Sequence, residues 1–310
     1  MRVYLRKAIA LLLSVLLLAS SGCALREREE GEDFSIVASF YPMYIILLNI
    51  TDGIDNVHVH VMAQQHTGCL HDYQLQSSDM QELTKADVFV VNGAGMENFL
   101  SRVTEQLPDL PVITATEGMK LLHEDGTAHD HDEDEDHEEE DVNPHVWVSV
   151  EGAMQEVETI TQGLMKTDPA HAEAYRQNAD RYLQQLQALS DEMHAALDPY
   201  AGTSIVTFHE AFPYFAEEFG LNIAAVVNRE PESEPSAREL ADTIDLIRHS
   251  HVKAVFAEPQ YSTDTAQTVA QESGVPVYLL DPCTSGAMDK EAYLTAMRQN
   301  MQVLQQALQG

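Results

Sequence analysis

The residues best equipped for chemistry are His123, His129, His131 and His137, set among twelve Asp and Glu with no Lys or Arg, and leading directly into Asn143-Pro144-His145-Val146-Trp147. Neutral imidazole is a common metal ligand, and carboxylates add hard oxygen donors and an attractive field, so this composition suits divalent cations. The same composition also describes a solvated acidic loop that only keeps a protein soluble. Composition leaves both readings open, and the rest of the chain has to decide between them.

Four other groups sit where elements end. His71 lies in the loop after an alternating apolar run at Asn56 to Met62, His145 follows the acidic stretch, His209 ends a strand expected over Thr203 to Phe208, and Asp281 ends one expected over Val275 to Leu280. In open α/β sheets ligands bind beyond the carboxyl ends of strands, which is where three of these four fall. Singly, each has an ordinary explanation, since a loop histidine is usually a hydrogen-bonded surface residue and Asp before Pro is a common turn. Their joint placement, two in each half of the chain, raises the metal reading. His58 and His60 share one face of a strand, but a solvent-facing strand explains them equally well.

The elements that must position these groups alternate. Short apolar strands are expected at 35–39, 56–62, 87–91 and 111–114, separated by helical patterns near 42–50, 77–84 and 97–106, with Ser78 and Asp79 as capping residues. The second half repeats the scheme, with strands at 203–208, 222–227, 252–257 and 275–280 and helices at 212–219, 236–250, 264–272 and 289–308. This alternation predicts an α/β protein of two lobes, each a mostly parallel sheet of four to five strands flanked by helices. Between the lobes, Tyr175, Ala179, Tyr182, Leu186, Leu189, Met193 and Ala196 recur at steps of three and four from Asp168-Pro169 to Asp198-Pro199. That spacing predicts one long rigid helix over 168–199, about 43 Å in length, with limited motion between lobes of 34–167 and 200–310.

The chain of 310 residues carries a formal charge of −34. Its first 22 residues read as an export signal, with Arg2, Arg6 and Lys7 before an apolar run too short to span a bilayer and a small-residue exit before Cys23. Without them 14 Lys and Arg face 51 Asp and Glu. Such a surface repels nucleic acid and concentrates cations, which excludes nucleic-acid binding. Cys23 resembles the acylated cysteine of a bacterial lipobox, although Ser20 stands where that motif usually has Leu, so plain secretion remains the alternative. Residues 23–33 suit a polar tether between membrane and folded body.

The motifs taken in order resemble the zinc- and manganese-binding solute receptors of bacterial ABC transporters. The resemblance covers nearly the whole chain after the signal. It rests on His71-Asp72-Tyr73, Ser78-Asp79-Met80, Asn92-Gly93-Ala94-Gly95-Met96-Glu97, Asn143-Pro144-His145-Val146-Trp147, His209-Glu210-Ala211-Phe212, Glu230-Pro231-Glu232-Ser233-Glu234-Pro235-Ser236, Phe256-Ala257-Glu258-Pro259-Gln260 and Leu280-Asp281-Pro282. It implies a monomeric receptor, not an enzyme, that holds one metal in the cleft on His71, His145, His209 and Asp281 and passes it to a membrane permease driven by an ATPase. Manganese members of the family typically carry Glu at the third position, where this chain has His209. Three imidazoles and one carboxylate independently suit tetrahedral Zn2+ better than oxygen-preferring Mn2+. The family's zinc members also often carry a His- and acid-rich insert before Asn-Pro-His, which makes His123, His129, His131 and His137 an auxiliary capture loop.

Within that resemblance, Cys69 and Cys283 flank His71 and Asp281, so their loops would meet at a shared ion. A disulfide there, worth about 5 kcal/mol in the chain-entropy model, stands beside thiolate ligation and two bystander thiols as the readings of this pair. A secreted zinc hydrolase is the rival class, but His209-Glu210 runs into Ala211-Phe212-Pro213 with no second His on the turn, and Asp281 would close the coordination shell. A metal-storing or adhesive surface protein would need no single site between lobes.

Overall fold

The computed structural model describes residues 33–62, 73–123, 142–227, 235–260 and 263–309. The export signal, Cys23, Cys69, His71, His129, His131 and His137 lie outside the described residues.

The first lobe holds β1 (Phe34–Ala38), α1 (Tyr41–Ile50), β2 (Val57–Val61), α2 (Ser77–Leu83), β3 (Val88–Val91), α3 (Leu100–Gln106) and β4 (Val112–Thr114). Its four strands are all parallel in the order β2-β1-β3-β4. The chain then passes through a short 3-10 turn at Val146–Val148 into α4 (Val150–Thr167) and the long α5 (Ala172–Leu197), which is flanked by 3-10 turns at Pro169–His171 and Asp198–Tyr200. The second lobe holds β5 (Ser204–Thr207), α6 (Pro213–Glu218), β6 (Asn222–Val226), α7 (Ala237–His249), β7 (Val255–Ala257), α8 (Asp264–Ser273), β8 (Val277–Leu279) and α9 (Ala292–Leu308). Its strands are again parallel, in the order β6-β5-β7-β8. The two-lobed α/β architecture expected from the strand and helix alternation is the one observed, with four strands in each sheet.

The long helix forms where its apolar spacing predicts. Tyr175, Tyr182, Leu186, Leu189, Met193 and Leu197 are all essentially inaccessible and join one core that includes α1, α4 and α9. Asp168 does not cap it through a backbone N–H. Its Oδ2 instead accepts from the Tyr175 hydroxyl at 2.7 Å and pairs with His171 Nδ1 at 2.6 Å. α4 is the one long helix that the pattern of the sequence does not announce. It begins with Ser149 accepting from the Gly152 N–H at 2.9 Å, a normal N-cap.

Hydrogen bonds cross between the lobes at several depths. The Tyr41 hydroxyl donates to Ala287 O at 2.6 Å, Asn49 Nδ2 to Lys290 O at 3.1 Å, and Trp147 Nε1 to Pro282 O at 2.8 Å. Together with the shared core along α5, these ties oppose a wide hinge motion.

Candidate metal centre

The pocket for His145 is built from the first lobe outward. After β3 the chain turns through Gly93 (φ 87°), Ala94 (φ 50°) and Gly95 (φ 78°), so three successive residues adopt left-handed backbone. A side chain at Gly93 would meet Thr114 Cγ2 at 2.3 Å, which explains why glycine stands there. The turn wraps its N–H groups around buried Glu97, which accepts from Asn92 N at 2.8 Å, Gly93 N at 2.9 Å and Ser39 Oγ at 2.7 Å. Glu97 was expected to open a helix, but it serves this turn instead and α3 starts three residues later. Burial pushes its carboxyl pKa up, against the lowering effect of these donors. Asn92, fixed in this way, donates to Pro144 O at 3.0 Å and sets the residue before His145.

Asn143 does the remaining positioning. Its Oδ1 accepts from His145 N at 3.0 Å and lies 3.1 Å from His145 Nδ1, its Nδ2 donates to Glu210 O at 2.8 Å, and its carbonyl accepts from the Tyr214 hydroxyl at 2.8 Å. One fully buried side chain therefore orients the first-lobe imidazole and binds the residue next to His209.

His209 follows β5, and its partner comes from the neighbouring strand. The pairing of β5 with β7 sets Thr207 against Phe256, so two residues further on His209 emerges level with Glu258. Glu258 Oε1 meets His209 Nδ1 at 2.8 Å with both side chains buried. The His145 and His209 rings lie 4.9 Å apart, nearly perpendicular, and His145 is 5.2 Å from the Trp147 ring. In each imidazole Nδ1 faces an oxygen, so Nε2 is the nitrogen that would take an ion. Such outer partners fix ring orientation and raise ligand basicity in metal sites.

Asp281 reaches this region through its neighbours. Pro282 accepts the Trp147 indole hydrogen bond, and Asp281 itself is locked in a turn: Oδ1 accepts from Cys283 N and Gln260 Nε2, each at 2.9 Å, while its backbone exchanges hydrogen bonds with the Asn300 side chain. Oδ2 is then the oxygen suited to a ligand role. His71 is outside the described residues, but the chain just after it is held, since the Tyr73 hydroxyl donates to Asp79 Oδ2 at 2.8 Å and Gln76 N to the same oxygen at 2.7 Å. Asp79 thus closes the start of α2 from its third position, with Gln76 as the cap.

Cys283 has a free, buried thiol. Its Sγ lies 3.9 Å from Met297 Sδ and 3.7 Å from Asp281 O, inside the packing of α9, so this sulfur is turned into the core, while Cys69 lies outside the described residues. Burial, then the Asp281 charge, pushes the thiol well above its ordinary pKa, which favours S–H over thiolate. Of the acidic stretch, only its neck is described: His123 bridges Val142 antiparallel, and Asn143 N donates to Leu122 O at 2.8 Å. His123 and Val142, which flank residues 124–141, are thus held side by side, with Val142 three residues before His145. His58 and His60 pair with Asp33 and Glu82 on the exposed face of β2, as a solvent-facing strand requires.

The partners Asn143 and Glu258 stand in the quoted motifs, but nothing in their types alone assigns them to His145 and His209. The pairing of Glu258 follows only once β5 and β7 are known to be neighbours.

Residues 36–307 match the family described as ZnuA, zinc-uptake complex component A, periplasmic. A manganese-binding lipoprotein, MntA of Halalkalibacterium halodurans, is 28% identical over 298 residues, 93% of each chain. A zinc-binding lipoprotein, AdcA of Streptococcus pneumoniae, is 30% identical over 97% of this chain, which spans only 61% of that protein. Among solved structures, the solute-binding protein FpvC of Pseudomonas aeruginosa in complex with Ni2+ superposes with a TM-score of 0.77 at 30% identity, covering 90% of this chain and 97% of that one. The three names carry three different metals, so the name of a relative does not select the ion. With its two parallel sheets, its joining helix and a family match over almost all of its folded body, the chain belongs to the ZnuA family of metal-binding solute receptors of ABC transporters.

Proposed function

We propose that the protein is a zinc receptor: it captures extracytoplasmic Zn2+ between its lobes on His71, His145, His209 and Asp281 and delivers it, as a monomer anchored by lipid on Cys23, to a permease and its ATPase. The observation that carries this reading is the buried pair His145 and His209, one from each lobe, each with Nδ1 held by an oxygen partner. Preset imidazoles of this kind, with a carboxylate, form the nitrogen-rich set that favours Zn2+ over Mn2+. Drawing ligands from both lobes also supplies a route to release, because a small shift of one lobe removes two bonds together. The function is tested by deleting the gene and measuring growth under zinc limitation. Impaired growth restored by added zinc is expected, and unimpaired zinc uptake contradicts it.

The acidic histidine loop acts as an antechamber in this scheme. Its paired neck next to His145 keeps weakly held ions near the cleft, the effective-concentration effect of a tethered site. Removing residues 124–141 is expected to lower total zinc bound while one tight equivalent remains; loss of the tight equivalent as well contradicts the antechamber role.

A further inference from the structure

Away from the cleft, three groups from three helices converge. Glu151 in the first turn of α4, His194 near the end of α5 and Glu218 at the end of α6 each bring a donor atom within 4.8 Å of the other two. Glu151 is exposed and His194 half-buried, whereas the Glu218 side chain is only 2% exposed. The Glu218 carboxylate has donors at the start of α4, Val150 N at 2.8 Å from Oε2 together with the Ser149 side chain and the Glu151 N–H, but among the described residues buried Oε1 has no hydrogen-bond partner. His194 Nε2 lies 3.9 Å from Oε1, beyond hydrogen-bond range. A buried carboxylate oxygen in this state is costly unless a positive charge or a proton meets it.

His194 is arranged for such a partner. Its Nδ1 is held by Asp198 Oδ1 at 2.8 Å, one turn along the chain, which leaves Nε2 facing Glu218. A carboxylate gripping the far nitrogen of a histidine is the usual support of a metal-bound imidazole. A tetrahedral ion with bonds of about 2.0–2.2 Å sets its ligands about 3.3–3.6 Å apart, close to the separation of Nε2 and Oε1. Exposed Glu151 supplies both the third donor and the path of entry.

We propose that Glu151, His194 and Glu218 form a second binding site for a first-row divalent cation of the Zn2+ type, completed by water. It differs from the cleft in having one nitrogen and two oxygens and in lying open on one side, so it binds more weakly. The ion joins α4 of the first lobe, the long helix and α6 of the second lobe.

The test measures Zn2+ bound to the full chain by equilibrium dialysis at pH 7, with free Zn2+ in the micromolar range. His194→Gln and Glu151→Gln are each expected to lower the total by one equivalent, and the double variant by no more than one, because the residues share a site. Glu151→Gln alters only an exposed side chain, so its effect does not depend on a disturbed fold. Side-chain NMR of the histidines is expected to show His194 Nε2 responding to the added ion while Nδ1 keeps its bond. Unchanged binding in both single variants, or loss of two equivalents in the double variant, overturns the proposal. The tight equivalent of the cleft is retained in every variant, so the two sites fail or stand separately.

Discussion

The two lobes share a strand order and buried central strands, but their covering helices differ, α1 being buried along most of its length and α7 hardly at all. In the first, β3 is fully buried and β1 nearly so, and helix α1 is buried along most of its length. The outer strands are half-covered in both lobes, β2 and β4 as much as β6 and β8, but in the second lobe Leu279 is 46% exposed and the 13-residue α7 buries Ile247 alone. The second lobe is in effect divided: α6 and α9 join the common core along α5, while β6, α7, β7 and α8 rest on a smaller cluster around Val206, Val255 and Val269. His209, Glu258 and Asp281 arise at the border between these parts. A receptor must hold its ion and later give it up. The first lobe thus holds His145 in a frame packed against α1, and the second carries His209 and Asp281, the residues proposed as ligands, under a helical cover that opens more easily.

The comparison can be broken most strongly at the long helix. Leu186→Ala empties space in the core common to both lobes and is expected to cost about 2–5 kcal/mol. Denaturant unfolding is expected to show one transition shifted for the whole molecule. Ile247→Ala removes the one buried side chain of α7, with a cost of the same kind but smaller, about 2 kcal/mol at the low end of that range. Hydrogen exchange is expected to quicken in β6, α7 and α8 and not in β1 or β3; equal quickening in both lobes removes the distinction.

Glu258→Gln sharpens the functional side of the contrast. It keeps the shape of the partner of His209 but weakens its hold, and is expected to lower zinc affinity by about 10–100-fold. Calorimetric titration checks this, with an unchanged circular dichroism spectrum as the control for folding.

The smallest effect concerns Glu156, buried in α4, where among the described residues neither carboxylate oxygen finds a hydrogen-bond partner. Burial, and then Glu97, raises its pKa well above the ordinary value. A carboxyl with a raised folded pKa contributes its full stability below the unfolded pKa of 4.5 and loses it as pH rises toward the folded value. Glu156→Gln is therefore expected to raise stability at pH 7 by about 1 kcal/mol and to leave it little changed at pH 4, read from unfolding midpoints at the two pH values.

The alternation of strands and helices was legible because each element carries its own period, and the long helix because its apolar residues recur for several turns. α4 was not. It follows Val146-Trp147-Val148-Ser149-Val150, an apolar run of strand-like composition, and it contains two glycines that weaken any helical reading. The structure gives their reason: a side chain at Gly152 would strike Val146 O at 2.3 Å, and one at Gly163 would strike Ile113 at 2.8 Å. Gly152 makes room for the turn just before the helix, and Gly163 for Ile113 of β4, a close approach that local sequence does not reveal. The strands β7 and β8 are shorter than the expected 252–257 and 275–280, although their flanks still bond to the sheet, Lys253 N to Ser204 O and Val255 N to Pro276 O, each at 3.0 Å. At the metal centre, residue type and a strand-end position pointed to His209, and the acidic stretch running into Asn143-Pro144-His145 pointed to His145. The bond from Glu258 depends on which strands lie side by side, and the orientation of the Cys283 sulfur on how α9 packs; neither is local.

The central claim is a nitrogen-rich cleft that prefers zinc. Trp147 is the chain's one tryptophan, buried beside His145, so its fluorescence reports the cleft. Competitive titration of the mature protein with Zn2+ and Mn2+, repeated on His145→Ala and His209→Ala, tests the claim most directly. One equivalent of Zn2+ should displace Mn2+ from the cleft, and either substitution should abolish tight binding. Equal preference for Mn2+, or tight zinc binding that survives both substitutions, contradicts it.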